Sequence, residues 1–327
     1  MAPTIIVRKA KPTPSDAHVS APLTNVSVGY VQEGNWGAER VFPYLPVAKQ
    51  SDLYYIFNRE DFLRDEAQVR APGRPSAGGN FALSTAGYAC VVEAYHKDID
   101  DQLRANADSV LALDSSTTKF VTQKLMIRRE RRFMSSFFTT GVWGTDITPS
   151  TLWDVVVSGV STSDPQADVD AGILAIQEKT GMKPNKLSIG ARVFRALRRH
   201  TKVRDQFKYT SPDSIDEAML ANFFGVDEVV VFDKIYSSAI HGQTGVSPSF
   251  IAGKHALLTF TTDSPALMTP TAGYIMAWSG FTGSVNGMRT KKFRMEENAS
   301  DRIEGESAYA MKVVAPECGY FFNSVIS

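Results

Sequence analysis

The densest chemistry-bearing residues in this 327-residue chain are two short charged groups, Arg59-Glu60-Asp61 and Arg64-Asp65-Glu66. Neighbouring carboxylates can divide general acid and base roles when their surroundings push their pKa values apart. Here arginines interleave with the acids and favour the ionised form of each carboxylate. Such charges form surface or intermolecular ion pairs rather than an acid/base couple. The five histidines, His18, His96, His200, His241 and His255, do not stand at zinc-ligand spacing from another His, Cys or carboxylate. No GxSxG, Walker A or GxGxxG motif occurs. The run Ser76-Ala77-Gly78-Gly79 opens a strand rather than a helix, so it lacks the amide cradle a phosphate needs. The two cysteines, Cys90 and Cys318, lie far apart and form no framework, which points to a reducing compartment. These residues point to no catalytic site, no metal and no cofactor.

The charged groups sit inside the stretch 41–85, VFPYLPVAKQSDLYYIFNREDFLRDEAQVRAPGRPSAGGNFALST. The run Leu53–Phe57 and a second run from Phe81 towards Tyr95 read as strands. Between them, Arg59–Gly79 is charged, rich in Pro and Gly, and offers almost nothing to fill a core. A connection of about 20 residues inside a compact domain is usually functional or disordered. It is understandable as an arm whose partner surface belongs to another copy of the chain. An isolated two-stranded hairpin is marginal in water and exposes strand edges, so it needs such a partner.

The composition is globular, with 43% hydrophobic, 21% charged and 10% aromatic residues. The formal net charge is zero, which argues against a nucleic-acid binder working by bulk positive charge. It also suits the close packing of many copies. No apolar run approaches the roughly 20 residues that span a bilayer. The segment MAPTIIVRKAKPTPSDAH has too short an apolar core for a signal peptide and reads as an extended arm. The expectation is a soluble protein made in the cytoplasm, with no membrane partner.

Residues 1–40 carry Pro3, Pro12, Pro14 and Pro22, so regular structure is not expected there. A short helix is expected over Asp98–Val110 with Asp98 as N-cap. The longest helix is expected over Ser115–Phe138, capped by Ser115 or Ser116, with Val121, Leu125, Phe133 and Phe137 at helical spacing. It carries Lys119, Lys124, Arg128, Arg129, Arg131 and Arg132 against the single Glu130, which reads as a solvated face or a face for polyanion. Asp164-Pro165 opens the next helix and Gly181 closes it. Lys186–Ile189 is a short strand, Ala191–His200 a helix, and Ser214-x-x-Glu217 a capping box before a helix ending at Gly225. Glu228–Phe232 reads as a central strand. Four later strands, Tyr274–Phe281, Arg289–Met295, Ser307–Val314 and Tyr320–Val325, are expected to pack with the long helix. The fold class is α+β, with one lobe inserted into the other.

The ordered set of VFPYLPVAKQSDLYYIFNREDFLRDEAQVRAPG, the helix with RRERR, SDPQADVDAGILAIQEKTGMKPNKLSIGARVFRALRRHTKVRDQFKYT, LANFFGVDEVVVFDKIYSSA and FIAGKHALLTF resembles the major capsid proteins of tailed bacteriophages. The resemblance covers residues 38–327 and implies the Hong Kong 97-like fold. It implies an N-terminal arm and entry strand over 1–47 and an extended hairpin, the E-loop, over 48–95. A P-domain with a spine helix over 96–154 would follow, then an A-domain over 155–270 and returning P-domain strands over 271–327. The function implied is not enzymatic: copies assemble as pentamers and hexamers into an icosahedral shell around the phage genome.

Arg59, Asp61, Arg64, Asp65, Arg70 and Arg74 on the hairpin are then the expected intersubunit contacts, fixing register more than affinity. Lys124, Arg128, Arg131 and Arg132 are the candidate lumen-facing cations. The partners implied are other copies of the chain, a portal protein, a decoration protein and packaged double-stranded DNA held by non-specific contact. The residues ahead of the match are Pro-rich rather than helical, which favours a separate scaffolding protein. The place implied is the virion, after assembly in the host cytoplasm. Two alternatives stay open: an encapsulin-type nanocompartment shell and, further off, a two-lobed α/β enzyme.

Overall fold

The computed structural model describes residues 32–327 apart from 33, 35, 108–111, 209–214, 240–242, 244–246, 263, 266, 267 and 281–283. Residues 1–31 of the arm expected over 1–47, among them His18, together with His241 and the Ser214 half of the expected capping box, lie outside the described residues.

Local sequence signals set the helices of one lobe. Asp164 accepts a hydrogen bond from the Ala167 amide at 3.3 Å, Pro165 takes the first helical position, and Gly181 ends the helix at φ 72°. The helix Pro165–Thr180 buries Val169, Ile173 and Ile176. A Cβ on Gly172 would lie 3.1 Å from the Phe322 ring, so this glycine lets the helix press against the strands beneath. Those strands form a five-stranded sheet in the order Thr145–Ile147, Gly319–Phe322, Ala256–Thr259, Lys186–Gly190 and Glu228–Phe232. The three middle strands are buried along their whole length. The helices Ala191–Arg199 and Glu217–Phe224 pack on the same apolar cluster, which includes Val193, Leu197, Leu220 and Phe224. Asp216, accepting from the Met219 amide at 2.8 Å, caps the last of these helices.

The second lobe is built around the strand Ser300–Val313. One side of it pairs with Val91–Asp100 over ten residues, and the other with Met288–Met295 and then Gly273–Trp278. Tyr44–Val47 adds a parallel edge beside Gly273–Trp278. The helix Leu113–Phe137, about 37 Å long, lies across this sheet and buries Val121, Leu125, Phe133 and Phe137. A Cβ on Gly305 would sit 2.6 Å from Val121 Cγ1, so the helix rests directly on the strand backbone there. A second core joins the lobes: Phe42 packs on Phe133 and Phe137 at 5.1 and 5.0 Å, and Phe133 stacks on Phe232 at 5.8 Å.

Four expectations are corrected. Asp98 is no helix cap: it lies within the long strand Val91–Asp100, bound by Arg302 at 2.7 and 2.9 Å, and the helix shrinks to Asp101–Asn106 with Asp100 before it. Ser115 and Ser116 lie inside the long helix, whose N-cap is Ala112. Glu228–Phe232 is an edge strand, apolar because the short helix Gly37–Val41 and the helix Glu217–Phe224 cover it. Gly319–Phe322 joins the first lobe's sheet, antiparallel to Ala256–Thr259, rather than the sheet under the long helix.

Candidate assembly surface

The most exposed architecture is the hairpin Ser51–Phe57 and Leu83–Ala89, paired in seven-residue register from Ser51↔Ala89 to Phe57↔Leu83. Alternation gives it two faces. Tyr54, Ile56, Ala86 and Tyr88 are half-buried, whereas Leu53 and Tyr55 are 65% and 62% exposed on the other side. The root is fastened to the body. Cys90 and Gln50 exchange backbone and side-chain hydrogen bonds at 2.8 and 3.1 Å, and Tyr54 and Tyr88 pack on the cluster of Cys90, Tyr274 and Met276.

Beyond the root the body gives no cover: every residue from Phe62 to Thr85 is exposed. The tip is not as structureless as its composition suggests. Phe57, Phe62 and Phe81 form an aromatic triangle with ring centroids 5.8–6.1 Å apart, below a one-turn helix Arg59–Leu63. Asp61 accepts from the Ala82 amide at 2.7 Å and pairs with Arg64 at 3.3 Å, which holds its carboxyl below the usual range. Arg64 also reaches Glu66 at 3.7 Å, and Arg70 Nε donates to the Arg74 carbonyl at 2.6 Å. Of the six expected contact residues, Asp61 and Arg64 thus organise the tip itself. Arg59, Asp65, Arg70 and Arg74 stand exposed on it.

The long helix sorts its cations by face. Lys124, Arg128 and Arg131 are exposed at i, i+4 and i+7. Arg128 and Arg132 share Glu93 at 3.2 and 3.4 Å, Arg132 lies over the Tyr309 ring, and Arg131 lies 4.3 Å from the Tyr236 ring centroid. Arg132 therefore belongs as much to the fold as to a surface.

Sequence reading missed the buried pair beside them. Glu130 is 1% exposed and accepts from the Gly37 and Ala38 amides at 3.0 and 3.1 Å, while burial pushes its pKa up. Arg129 is 2% exposed, paired with Glu39 and hydrogen-bonded to Tyr44 Oη at 2.5 Å; burial draws its pKa down to about 10. Together they anchor the segment entering the fold. The one signal was Glu130 itself, the only acid in a run of cations.

A charge network ties the far end of the second lobe. Arg294 grips Asp101 with two 2.6 Å bonds, Arg104 reaches Asp114 and Asp301 at 2.8 and 3.0 Å, and Lys292 meets Asp114 at 2.7 Å. His200 and His255 take structural roles. His200 shares a hydrogen bond with Ser163 at 3.1 Å, and His255 Nδ1 accepts from the Ser324 amide at 3.0 Å; burial lowers both pKa values. Among the described residues no group of three His, Cys, Asp or Glu could hold a metal, and no helix is long and apolar enough to cross a membrane.

The same architecture recurs in solved structures. A phage-related protein from Bordetella bronchiseptica RB50 matches with a TM-score of 0.66 at 20% identity, over 88% of this chain and 91% of that one. The capsid of cyanophage P-SCSP1u matches with a TM-score of 0.54 at 11% identity, over 98% and 99%. The chain has the Hong Kong 97-like capsid fold. A curated relative, the "Major capsid protein" of Burkholderia phage BcepMu, is 20% identical over 310 residues, 93% of this chain and 95% of that protein. No family model matches the chain. The capsid fold gives the hairpin a context: it is an arm held at its root and exposed beyond it.

Proposed function

We propose that this chain is the major capsid protein of a tailed phage, a structural subunit that assembles with its own copies into pentamers and hexamers of an icosahedral shell. The observation that carries the proposal is the hairpin, rooted in a capsid fold, with apolar side chains such as Leu53, Phe62 and Leu63 left exposed along it. Free energy is available only if another surface covers them. Heterologous contacts of that kind close into rings when the rotation allows.

On this reading 48–95 is the E-loop and the long helix is the P-domain spine. Residues 155–270 form the A-domain, and residues 1–47 are the N-terminal arm and entry strand. Arg59, Asp65, Arg70 and Arg74 fix the register of the contact. Lys124, Arg128 and Arg131 face packaged DNA, touching phosphate without reading sequence. A separate scaffolding protein and a portal complete assembly in the host cytoplasm, and a decoration protein can join the finished shell in the virion.

The encapsulin reading shares the fold and differs in cargo. The name of the curated relative favours the phage reading. Sedimentation of the expressed protein, followed by assay of particle contents after infection, tests both. Megadalton particles holding DNA are expected. Enzyme cargo would favour the nanocompartment, and a monomer or dimer would end the shell reading.

A further inference from the structure

A strongly cationic surface of the chain has no role in the account above. Residues 191–208 carry seven arginines and lysines against one acid, Asp205. They fold as the helices Ala191–Arg199 and Thr201–Phe207, which meet at His200. Val193, Leu197 and Val203 are buried in the apolar cluster of the first lobe, while all seven cations are exposed. Arg192, Arg195 and Arg199 stand at i, i+3 and i+7 and so share one face. This arrangement works against the helix. Arg195 lies three residues from Arg192 and four from Arg199, and like charges at those spacings repel. Arg192 also sits in the first turn, where the helix dipole disfavours a cation.

Elsewhere the chain answers its arginines with acids. Arg128 and Arg132 share Glu93, Arg294 grips Asp101, and Arg302 binds Asp98. On this surface Lys202 reaches Asp164 at 2.5 Å, and Arg198 lies 5.7 Å from the Phe194 ring centroid. Arg192, Arg195, Arg199 and Arg204 have no acid partner among the described residues. A polyanion would complete such a surface. Two kinds of polyanion differ in what they need from it. A protein partner needs a centre depleted of charge, with apolar anchors. Between residues 191 and 208 no large apolar side chain is exposed. A nucleic-acid partner needs dense positive charge instead. Guanidinium forks match phosphate oxygens, and each strand of a duplex presents a phosphate about every 3.4 Å along its axis. The nine-residue helix is about 13 Å long, so its arginine face spans several phosphates.

We propose that the helix pair Ala191–Arg199 and Thr201–Phe207 is a duplex-DNA surface. Arg192, Arg195, Arg199 and Arg204 grip backbone phosphates without reading sequence. The contact is stronger than that of the long helix, where Glu93 already takes up Arg128. The inference rests on the shell reading only for the source of the DNA, the packaged genome.

The test measures binding of the purified full chain to a labelled mixed-sequence duplex by fluorescence anisotropy, across a salt series. The parent's affinity is expected to fall steeply with salt. Arg192→Gln/Arg195→Gln/Arg199→Gln/Arg204→Gln is expected to bind at least about tenfold more weakly at physiological salt, with a log–log salt slope shallower by about 3 to 4. Circular dichroism controls for folding: relief of like-charge repulsion leaves this variant's melting temperature at or above the parent's. Lys124→Gln/Arg128→Gln/Arg131→Gln is expected to lose less affinity, and a larger loss there would overturn the proposal. A glutamine patch variant that binds DNA like the parent would also overturn it, while leaving the shell reading intact. Poly-glutamate that displaces the labelled duplex better than unlabelled duplex, at equal charge, would assign the face to an acidic polypeptide and overturn it as well. A parent that binds DNA through these arginines but forms no particles would remove the shell reading and leave the DNA surface standing.

Discussion

Glu130 and Arg129 show how one turn of helix holds two charges out of water. The Glu130 carboxylate is paired to two backbone amides and the Arg129 guanidinium to Glu39 and Tyr44, so neither is left bare. Removing one partner from such a site is expensive because the other stays buried. Glu130→Ala is expected to cost about 3 kcal/mol, measured by urea unfolding. An exposed cation such as Lys124 changed to Ala should cost less than about 0.5 kcal/mol. Hydrogen bonds from Arg294 to Asp101, and from Arg104 to Asp114, hold those carboxyls below their ordinary value of 3.8. The unfolded chain therefore binds protons that the folded chain refuses. This stability is complete above about pH 4 and is lost as pH falls through the lowered values. Unfolding midpoints measured from pH 6 to pH 3 are expected to fall less steeply in Asp101→Asn/Asp114→Asn than in the parent.

At the scale of elements, the hairpin tip and the long helix respond oppositely to change. Deleting Asp61–Gly78 removes a stretch exposed from Phe62 onward and takes Phe62 out of its cluster with Phe57 and Phe81, so the subunit is expected to fold and melt as before but form no shells. Circular dichroism with electron microscopy checks both halves of that statement. Gly305→Val, by contrast, drives a side chain into Val121 and Leu125 and is expected to cost about 1–3 kcal/mol, seen as a lower melting temperature. The helices legible in the sequence were those with local stop and start signals, such as Asp164, Pro165 and Gly181. The Val91–Asp100 strand was read in part as helix, because its ten pairs to Ser300–Tyr309 join residues some two hundred positions apart. Partnerships of that kind override local preference. The same holds for Gly319–Phe322, whose apolar run announces a strand but not which sheet receives it. On the site, the exposed arm was legible from its charge and lack of core. The use of Asp61 and Arg64 inside the tip was not, since it depends on the Ala82 amide across the loop.

For the whole molecule, the two lobes share a core through Phe42, Phe133 and Phe232, and the hairpin reaches beyond it. The zero net charge lets many such bodies pack without strong mutual repulsion. On the proposed shell reading, a contact repeated from copy to copy covers the exposed arm. An electron micrograph of the purified full chain tests this most directly. Closed shells with five- and six-fold capsomers are the expected result. A uniform field of monomers or dimers, under conditions where the chain is folded, would contradict it.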